Sequence, residues 1–236
     1  MARFLVIDHL DFSADPEEFA PVIALLIVVL TMLFSAISFG CCIMYAVRFY
    51  KNLFTDEGYI TWTLPASPLT QLWAKILSAS IWYVLDLTIC FAAAWFLISG
   101  DNIQSALERI KPDFQAALGM SFSSFCGLVV FFSFVGILSC VLFIYTSIAI
   151  GQLVPAHRII VSIAVYFILN LITQIISIGV SIITSVFPDY VFSPAQTSFS
   201  EYFFQMLLIG TCTTTVLAIA GYFITYRILQ RKVNLI

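Results

Sequence analysis

The sequence predicts an all-α protein, a polytopic membrane bundle of five transmembrane helices with an outer N-terminus and a cytoplasmic C-terminus. Hydrophobic residues make up 61% of the 236 residues and charged residues only 10%. A soluble domain carries about 25% charged residues, and its core cannot hide this much apolar surface. Lipid can, because it replaces water around the outer face of each helix. The spacing of the apolar runs and the uneven distribution of basic residues supply the helix count and the orientation.

A helix needs about 20 apolar residues to cross a bilayer. We predict spans over residues 20–47, 71–99, 121–152, 157–187 and 202–228, within a single transmembrane domain covering 1–236. The connecting loops are then 48–70 on one side, and 100–120 and 188–201 on the other. Periodic apolar residues predict either a short surface helix or an ordered connector in loop 100–120. The aromatic-rich loop 188–201 is interpreted as interfacial, with a gate or half-inserted segment as the alternative.

Charge fixes the orientation and resolves the longest apolar run. With five spans, one side receives most of the basic residues: Arg48, Lys51, Lys75, Arg158, Arg227, Arg231 and Lys232. The other side receives most of the acids. The positive-inside rule makes the basic side cytoplasmic. The uncharged run from Phe114 to Ala156 is long enough for two helices, but splitting it would place the basic C-terminal cluster outside.

The loop between the first two spans carries the most information. Its short segment begins at Asp56 and Glu57, where acids favour the positive end of a helix dipole, and Pro65 stops it. Ser67 followed by Pro68 is typical of an N-cap and the first residue of the next helix. The short segment displays Tyr59, Ile60, Trp62 and Leu64. It is either a docking surface for a partner protein or a helix lying flat on the lipid headgroups, and periodicity alone favours the second.

Three polar side chains inside the spans are candidate functional residues. Asp86 lies in the middle of the second span, where an acid is costly. It either faces a substrate path or pairs with a polar group on another helix. Asn170 and Gln174, four residues apart on the fourth span, either hydrogen-bond to other helices or contact substrate.

At loop 48–70 the sequence resembles the ABC-2 class of ABC transporter permeases. Those proteins carry an acidic–Gly segment, then a Pro-Ser-type turn, then a helix with a lysine. The matching residues here are Asp56, Glu57 and Gly58, then Pro65, Ala66 and Ser67, then Lys75. The string RFYKNLFTDEGYITWTLP is similar to a Gram-positive branch of that class, and SIAIGQLVPAHRI (147–159) and the C-terminal LQRKVNLI match it more weakly.

The resemblance implies a bacterial plasma-membrane exporter subunit. Its coupling helix would comprise Asp56, Glu57, Gly58, Tyr59, Ile60, Trp62, Leu64 and Pro65, and would seat in a groove of a separate P-loop ATPase that holds ATP and Mg. Two permease subunits, identical or different, would assemble with two ATPases. Members of this class usually have six spans, so either the start site was placed too late or this is a five-span variant.

Several function classes are excluded or disfavoured by the residues. No G-x-x-x-x-G-K-[ST] loop is present, so ATP must be hydrolysed by a partner. The six cysteines lie in apolar runs without metal-ligand spacing, and we expect no disulfide, metal or cofactor in the chain. Scattered basic residues argue against nucleic-acid binding. The expected substrate of an exporter is amphipathic or hydrophobic, such as an antimicrobial peptide, drug or lipid. The alternative is a non-transporting sensor or bacteriocin-immunity protein, and an intramembrane enzyme is disfavoured because paired catalytic groups are lacking.

Overall fold

The computed structural model describes residues 16–56, 58, 63, 65–98, 108, 111–112, 115–116, 118–186 and 199–231. Within these residues the chain is helical and contains no strand. The helices are α1 (Pro16–Phe54), α2 (Pro68–Ile98), α3 (Phe122–Gly151), α4 (Arg158–Ile183) and α5 (Phe199–Arg231). All five include a stretch long and apolar enough to cross a bilayer. The predicted all-α class and the count of five are confirmed, and the chain is a multi-pass membrane protein.

The first helix is longer than the span predicted for it. It continues past residue 47 to Phe54 and takes in Arg48 and Lys51. Its 39 residues make a rod of roughly 58 Å, whereas the hydrocarbon core is only about 30 Å thick. Charged side chains are compatible with the end of such a helix, because long basic side chains reach the headgroups while their stems stay in apolar surroundings.

Two helix starts follow from serine caps. Ser67 accepts a hydrogen bond on its Oγ from the Thr70 amide at 3.2 Å, and α2 begins at Pro68, so this predicted N-cap is confirmed. Ser121 accepts in the same way from the Ser124 amide at 3.3 Å, directly before α3. The preceding Gly119 has φ +66°, a left-handed conformation that glycine adopts without strain.

The chain divides into two compact units. The first comprises Met1–Cys41 and Tyr83–Gly127, and the second comprises Cys42–Trp82 and Leu128–Ile236. In the second unit α3 is the central helix, since every residue from Phe143 to Ala149 is buried. This part of α3 is buried on all sides, whereas its N-terminal half carries exposed apolar side chains such as Phe131 and Phe134.

Small residues allow close approach around α3. A Cβ built on Gly221 of α5 would lie 2.6 Å from Thr146 Oγ1, and the Thr225 hydroxyl donates to the same Thr146 oxygen at 3.1 Å. At the turn into α4, a Cβ on Gly151 would overlap Ser162 Oγ and lie 2.9 Å from the Arg158 carbonyl oxygen. Such small-residue contacts are the usual way in which helices pack inside membranes. Helices α4 and α5 also pack against each other.

Candidate functional site

The two helices that flank loop 48–70 both contact one tyrosine of α3. On α1, Tyr45, Phe49 and Leu53 recur every four residues and are all buried, so they form one inward face. The Phe49 ring stacks on the Tyr145 ring with centroids 3.8 Å apart and planes 10° from parallel. The Tyr145 hydroxyl donates to the main-chain carbonyl of Lys75 on α2 at 3.1 Å. A displacement of α1 or α2 next to the loop therefore acts directly on α3.

The turn that follows α1 depends on Gly58. Its amide donates to the Thr55 carbonyl at 2.7 Å, and the Thr55 hydroxyl donates to the Lys51 carbonyl at 2.6 Å. A Cβ on Gly58 would lie 2.8 Å from the Leu53 carbonyl carbon and 2.9 Å from its oxygen. Because these are main-chain atoms of a buried residue, they cannot yield cheaply. Glycine at this position lets the chain fold back tightly on the end of α1.

The structure describes part of the predicted coupling segment. Asp56 and Pro65 are exposed, and Gly58 is buried. Glu57, Tyr59, Ile60, Trp62 and Leu64 lie outside the described residues, so the short helix that they would form stays a prediction.

Two of the three intramembrane polar residues predicted from the sequence line one cavity. The cavity has a volume of about 210 Å³ and lies among α3, α4 and α5 of the second unit. Its lining is Gly136, Cys140, Phe143, Tyr166, Asn170, Thr173, Gln174 and Thr214. The third residue, Asp86, belongs to the first unit.

Most polar groups of the cavity wall bond within their own helix. The Asn170 amide donates to the Tyr166 carbonyl at 2.8 Å, and the Thr173 hydroxyl donates to the Leu169 carbonyl at 2.8 Å. Gln174 is the exposed member of the group. The cavity is smaller than the 300–1,000 Å³ typical of sites for drug-sized ligands, and its volume equals that of about seven waters. In this conformation it accommodates water or a small group, and a larger cargo would require α4 to move away from α3.

Asp86 has a partner on a neighbouring helix. The Ser38 hydroxyl of α1 donates to the Asp86 carboxylate at 3.3 Å, and both residues belong to the first unit. This contact has the form of the polar pairing that was one interpretation of Asp86. Its alternative role on a substrate path stays a prediction.

No protein-family model, curated protein or solved structure matches this chain. Resemblance and geometry alone therefore support the functional assignment.

Sequence reasoning missed Tyr145, which contacts both helices that flank the loop. Tyr145 and Phe49 stand in aromatic-rich stretches, and only the distance between them in the fold distinguishes them from lipid-facing rings. The pattern did identify Gly58, as part of a motif. Its physical role, the close approach to the Leu53 backbone, is visible only in the folded chain.

Proposed function

We propose that this chain is the membrane-spanning permease subunit of a bacterial ABC exporter. The observation that carries the proposal is the DEG-containing loop between α1 and α2, whose flanking helices both contact Tyr145 of the central helix, through Phe49 and the Lys75 carbonyl. A passive linker does not require both flanking helices to contact a third helix, whereas a loop that transmits force to that helix does.

The proposed mechanism begins in a separate ATPase subunit. The segment from Asp56 to Leu64 acts as the coupling helix and docks in that subunit, and loop 48–70 faces the cytoplasm. ATP binding in the partner displaces the coupling helix and, with it, the end of α1 through Gly58 and Leu53. Phe49 passes the displacement to Tyr145, and α3 then shifts relative to α4.

A shift of α3 would change the size of the cavity among α3, α4 and α5. Cys140 and Phe143 in its wall lie just over one turn and less than one turn before Tyr145 on the same helix. We propose that the cavity widens toward the lipid or the outer surface when α3 moves, and that an amphipathic or hydrophobic cargo leaves by this path. Two such permease chains would pair in the complete exporter.

The test uses one substitution that disturbs the loop and one that does not. Gly58→Ala brings a methyl group to 2.8 Å from the Leu53 backbone, whereas a Cβ on Gly40 of α1 meets nothing within 4 Å. Forced overpacking costs about 1–3 kcal/mol, equivalent to roughly five-fold to 150-fold in the occupancy of the native turn. Each variant is affinity-purified from native membranes, the P-loop ATPase retained with it is quantified, and ATPase activity and ATP-driven cargo uptake into inside-out vesicles are measured.

We expect Gly58→Ala, and Glu57→Ala in the coupling segment, to lower ATPase retention and coupled activity, and Gly40→Ala to match the unmodified chain. Full retention of ATPase binding and coupled transport in both loop variants would refute the coupling-helix assignment. A chain that neither retains an ATPase nor moves cargo, yet protects cells from a bacteriocin, would point to the immunity function.

A further inference from the structure

A second cavity lies among α1, α2 and α3 of the second unit, and its polar wall is basic. It has a volume of about 200 Å³ and is lined by Arg48 and Asn52 of α1 and by Lys75, Ser78 and Trp82 of α2. The α1 residues are four apart, and those of α2 are three and four apart, so each set occupies one helix face. Two facing helix surfaces thus present a guanidinium, an ammonium, an amide and a hydroxyl to one space.

These polar groups lack partners in the part of the chain that the structure describes. Neither Arg48 nor Lys75 forms an ion pair there, and the side chains of Asn52 and Ser78 form no hydrogen bond there. Arg48 lies close enough to Lys75 for their charges to repel. Arg48 is exposed and Lys75 half-buried. Two like charges kept together without a counter-ion are unfavourable, and one anion between them reverses the sign of that interaction.

The donors match the chemistry of a phosphate group. A guanidinium presents a planar pair of N–H groups to two phosphate oxygens, and an ammonium adds a point charge. The amide of Asn52 and the hydroxyl of Ser78 can donate to the remaining oxygens.

The two cations lie near one end of their spans, within reach of lipid phosphates. The candidate span Val28–Phe54 has 27 residues, roughly 40 Å of helix, against about 30 Å of hydrocarbon. Arg48 lies six residues before the end of that span, and Lys75 seven residues after the start of Pro68–Ala93. Both are therefore roughly 10 Å from the span ends. Each span exceeds the hydrocarbon by about 5 Å at each end when centred, so the two Cα atoms lie about 5 Å inside the hydrocarbon boundary. Long basic side chains reach the headgroups from that depth.

The surroundings of the cavity favour a lipid over a free ion. Exposed apolar side chains flank it on both helices: Val47 on α1, and Leu77, Ile81 and Trp82 on α2. Acyl chains can lie along these surfaces while the headgroup enters between the helices. Tryptophan is itself enriched at this depth of the membrane.

We propose that Arg48 and Lys75, with Asn52 and Ser78, bind the phosphate of an anionic phospholipid headgroup. Phe49 and Tyr145 of the proposed coupling route also line this cavity, but the proposed transport path lies in the other one. The test uses the purified chain without any ATPase. Failure of the test would leave the exporter assignment unchanged.

The test measures lipid retention by native mass spectrometry and thermal stability in detergent. The chain is titrated with phosphatidylglycerol, with phosphatidylcholine, or with inorganic phosphate. We expect phosphatidylglycerol to bind and stabilise the chain, and phosphatidylcholine to bind at least several-fold more weakly. Arg48→Gln and Lys75→Gln should each weaken phosphatidylglycerol binding about five-fold, and together on the order of 25-fold, as expected for basic residues near anionic lipid.

The matched control is Lys51→Gln, which removes an exposed charge of α1 that does not line the cavity. It should leave lipid binding unchanged. Ser78→Leu adds bulk to the cavity without altering charge, at an exposed position that tolerates an apolar residue in lipid, and should also reduce binding. This variant keeps the test valid if the double charge variant does not fold.

Three results would overturn the proposal. The first is unchanged phosphatidylglycerol binding in the double variant or in Ser78→Leu. The second is equal binding of phosphatidylcholine. The third is binding of inorganic phosphate as tight as that of the lipid, which would mean that the site recognises free phosphate and not a phospholipid.

Discussion

Gly221→Ala is expected to destabilise the contact between α3 and α5 by an amount that the structure bounds. The added methyl group would lie 2.6 Å from Thr146 Oγ1 and 3.4 Å from its Cβ and Cγ2. Thr146 is fully buried, and its hydroxyl donates to the Leu142 carbonyl at 2.7 Å while accepting from Thr225. Relief of the overlap therefore separates the helices or breaks the bond from Thr225.

The two costs have known magnitudes. Overpacking a filled interior costs about 1–3 kcal/mol, and a hydrogen bond between membrane helices averages about 0.6 kcal/mol. We expect Gly221→Ala to cost about 2 kcal/mol in the free energy of unfolding. At about 2–4 °C per kcal/mol for a chain of this size, the melting temperature should fall by roughly 4–8 °C.

The assay is the monodisperse fraction that remains after heating in detergent, measured by fluorescence-detected size exclusion. Thr146→Ala removes the atom that the new methyl group would strike. The double variant should therefore be more stable than the sum of the two single effects allows. Gly40→Ala and Gly179→Ala are the controls, since a Cβ at either position meets nothing within 4 Å. They should be neutral or slightly stabilising.

Two results would refute the close-packing account. One is a Gly221→Ala variant as stable as the Gly179→Ala control. The other is strict additivity in the double variant with Thr146→Ala, which would mean that the two residues do not touch.

Three further predictions concern the other polar contacts. Tyr145→Phe keeps the stacked ring and removes the hydrogen bond to the Lys75 carbonyl, so the free energy of unfolding should fall by about 1 kcal/mol or less. In the proposed exporter, the rate of ATP-coupled transport should fall by a larger factor than the folded fraction does. Equal fractional losses of folded protein and of transport would contradict a coupling role. Ser38→Ala leaves the Asp86 carboxylate without its hydroxyl donor and should cost about 1 kcal/mol in thermal unfolding, an effect that must vanish in an Asp86→Leu background if the contact is its cause. Gln152→Leu removes a side-chain amide whose nitrogen and oxygen are both buried and find no hydrogen-bond partner among the described residues, so the melting temperature should rise by the equivalent of about 1–2 kcal/mol, and a fall would mean that this amide has a partner in the membrane.

The sequence was sufficient for the helices because each depends on a local property. Apolar run length predicts a span whatever lies beside it, and a serine followed by proline predicts a helix start from its own backbone chemistry. The start of α2 after Ser67 was therefore predictable. The end of α1 was not, because its continuation to Phe54 depends on Phe49 and Leu53 being buried against other helices.

The candidate sites depend on contacts between distant parts of the chain. The spacing of Asn170 and Gln174 predicted a shared face, and the structure adds the cavity that this face lines. Nothing in the spacing indicated which residues of α3 and α5 complete it. Likewise the sequence interpreted Arg48 and Lys75 through the charge asymmetry of the loops, and Lys75 also through the family resemblance, without relating one to the other. Only the packing of α1 beside α2 brings them to one cavity.

The position of Tyr145 constrains how any movement of loop 48–70 could proceed. Phe49 of α1 stacks on Tyr145, and the Lys75 carbonyl of α2 accepts a hydrogen bond from the same side chain. The two helices therefore cannot separate here without losing one of these contacts. Moving both ends together with α3 preserves both contacts and costs less. The α3 contacts that must then change are those with α5 at Thr146 and with α4 across the polar cavity. The contact with α5 is tightly packed and hydrogen-bonded, whereas the other faces a cavity of about 210 Å³. Because the polar cavity leaves space beside α4, whereas Thr146 is close-packed against α5, a concerted shift of α3 changes the volume of the polar cavity before it disturbs the contact with α5.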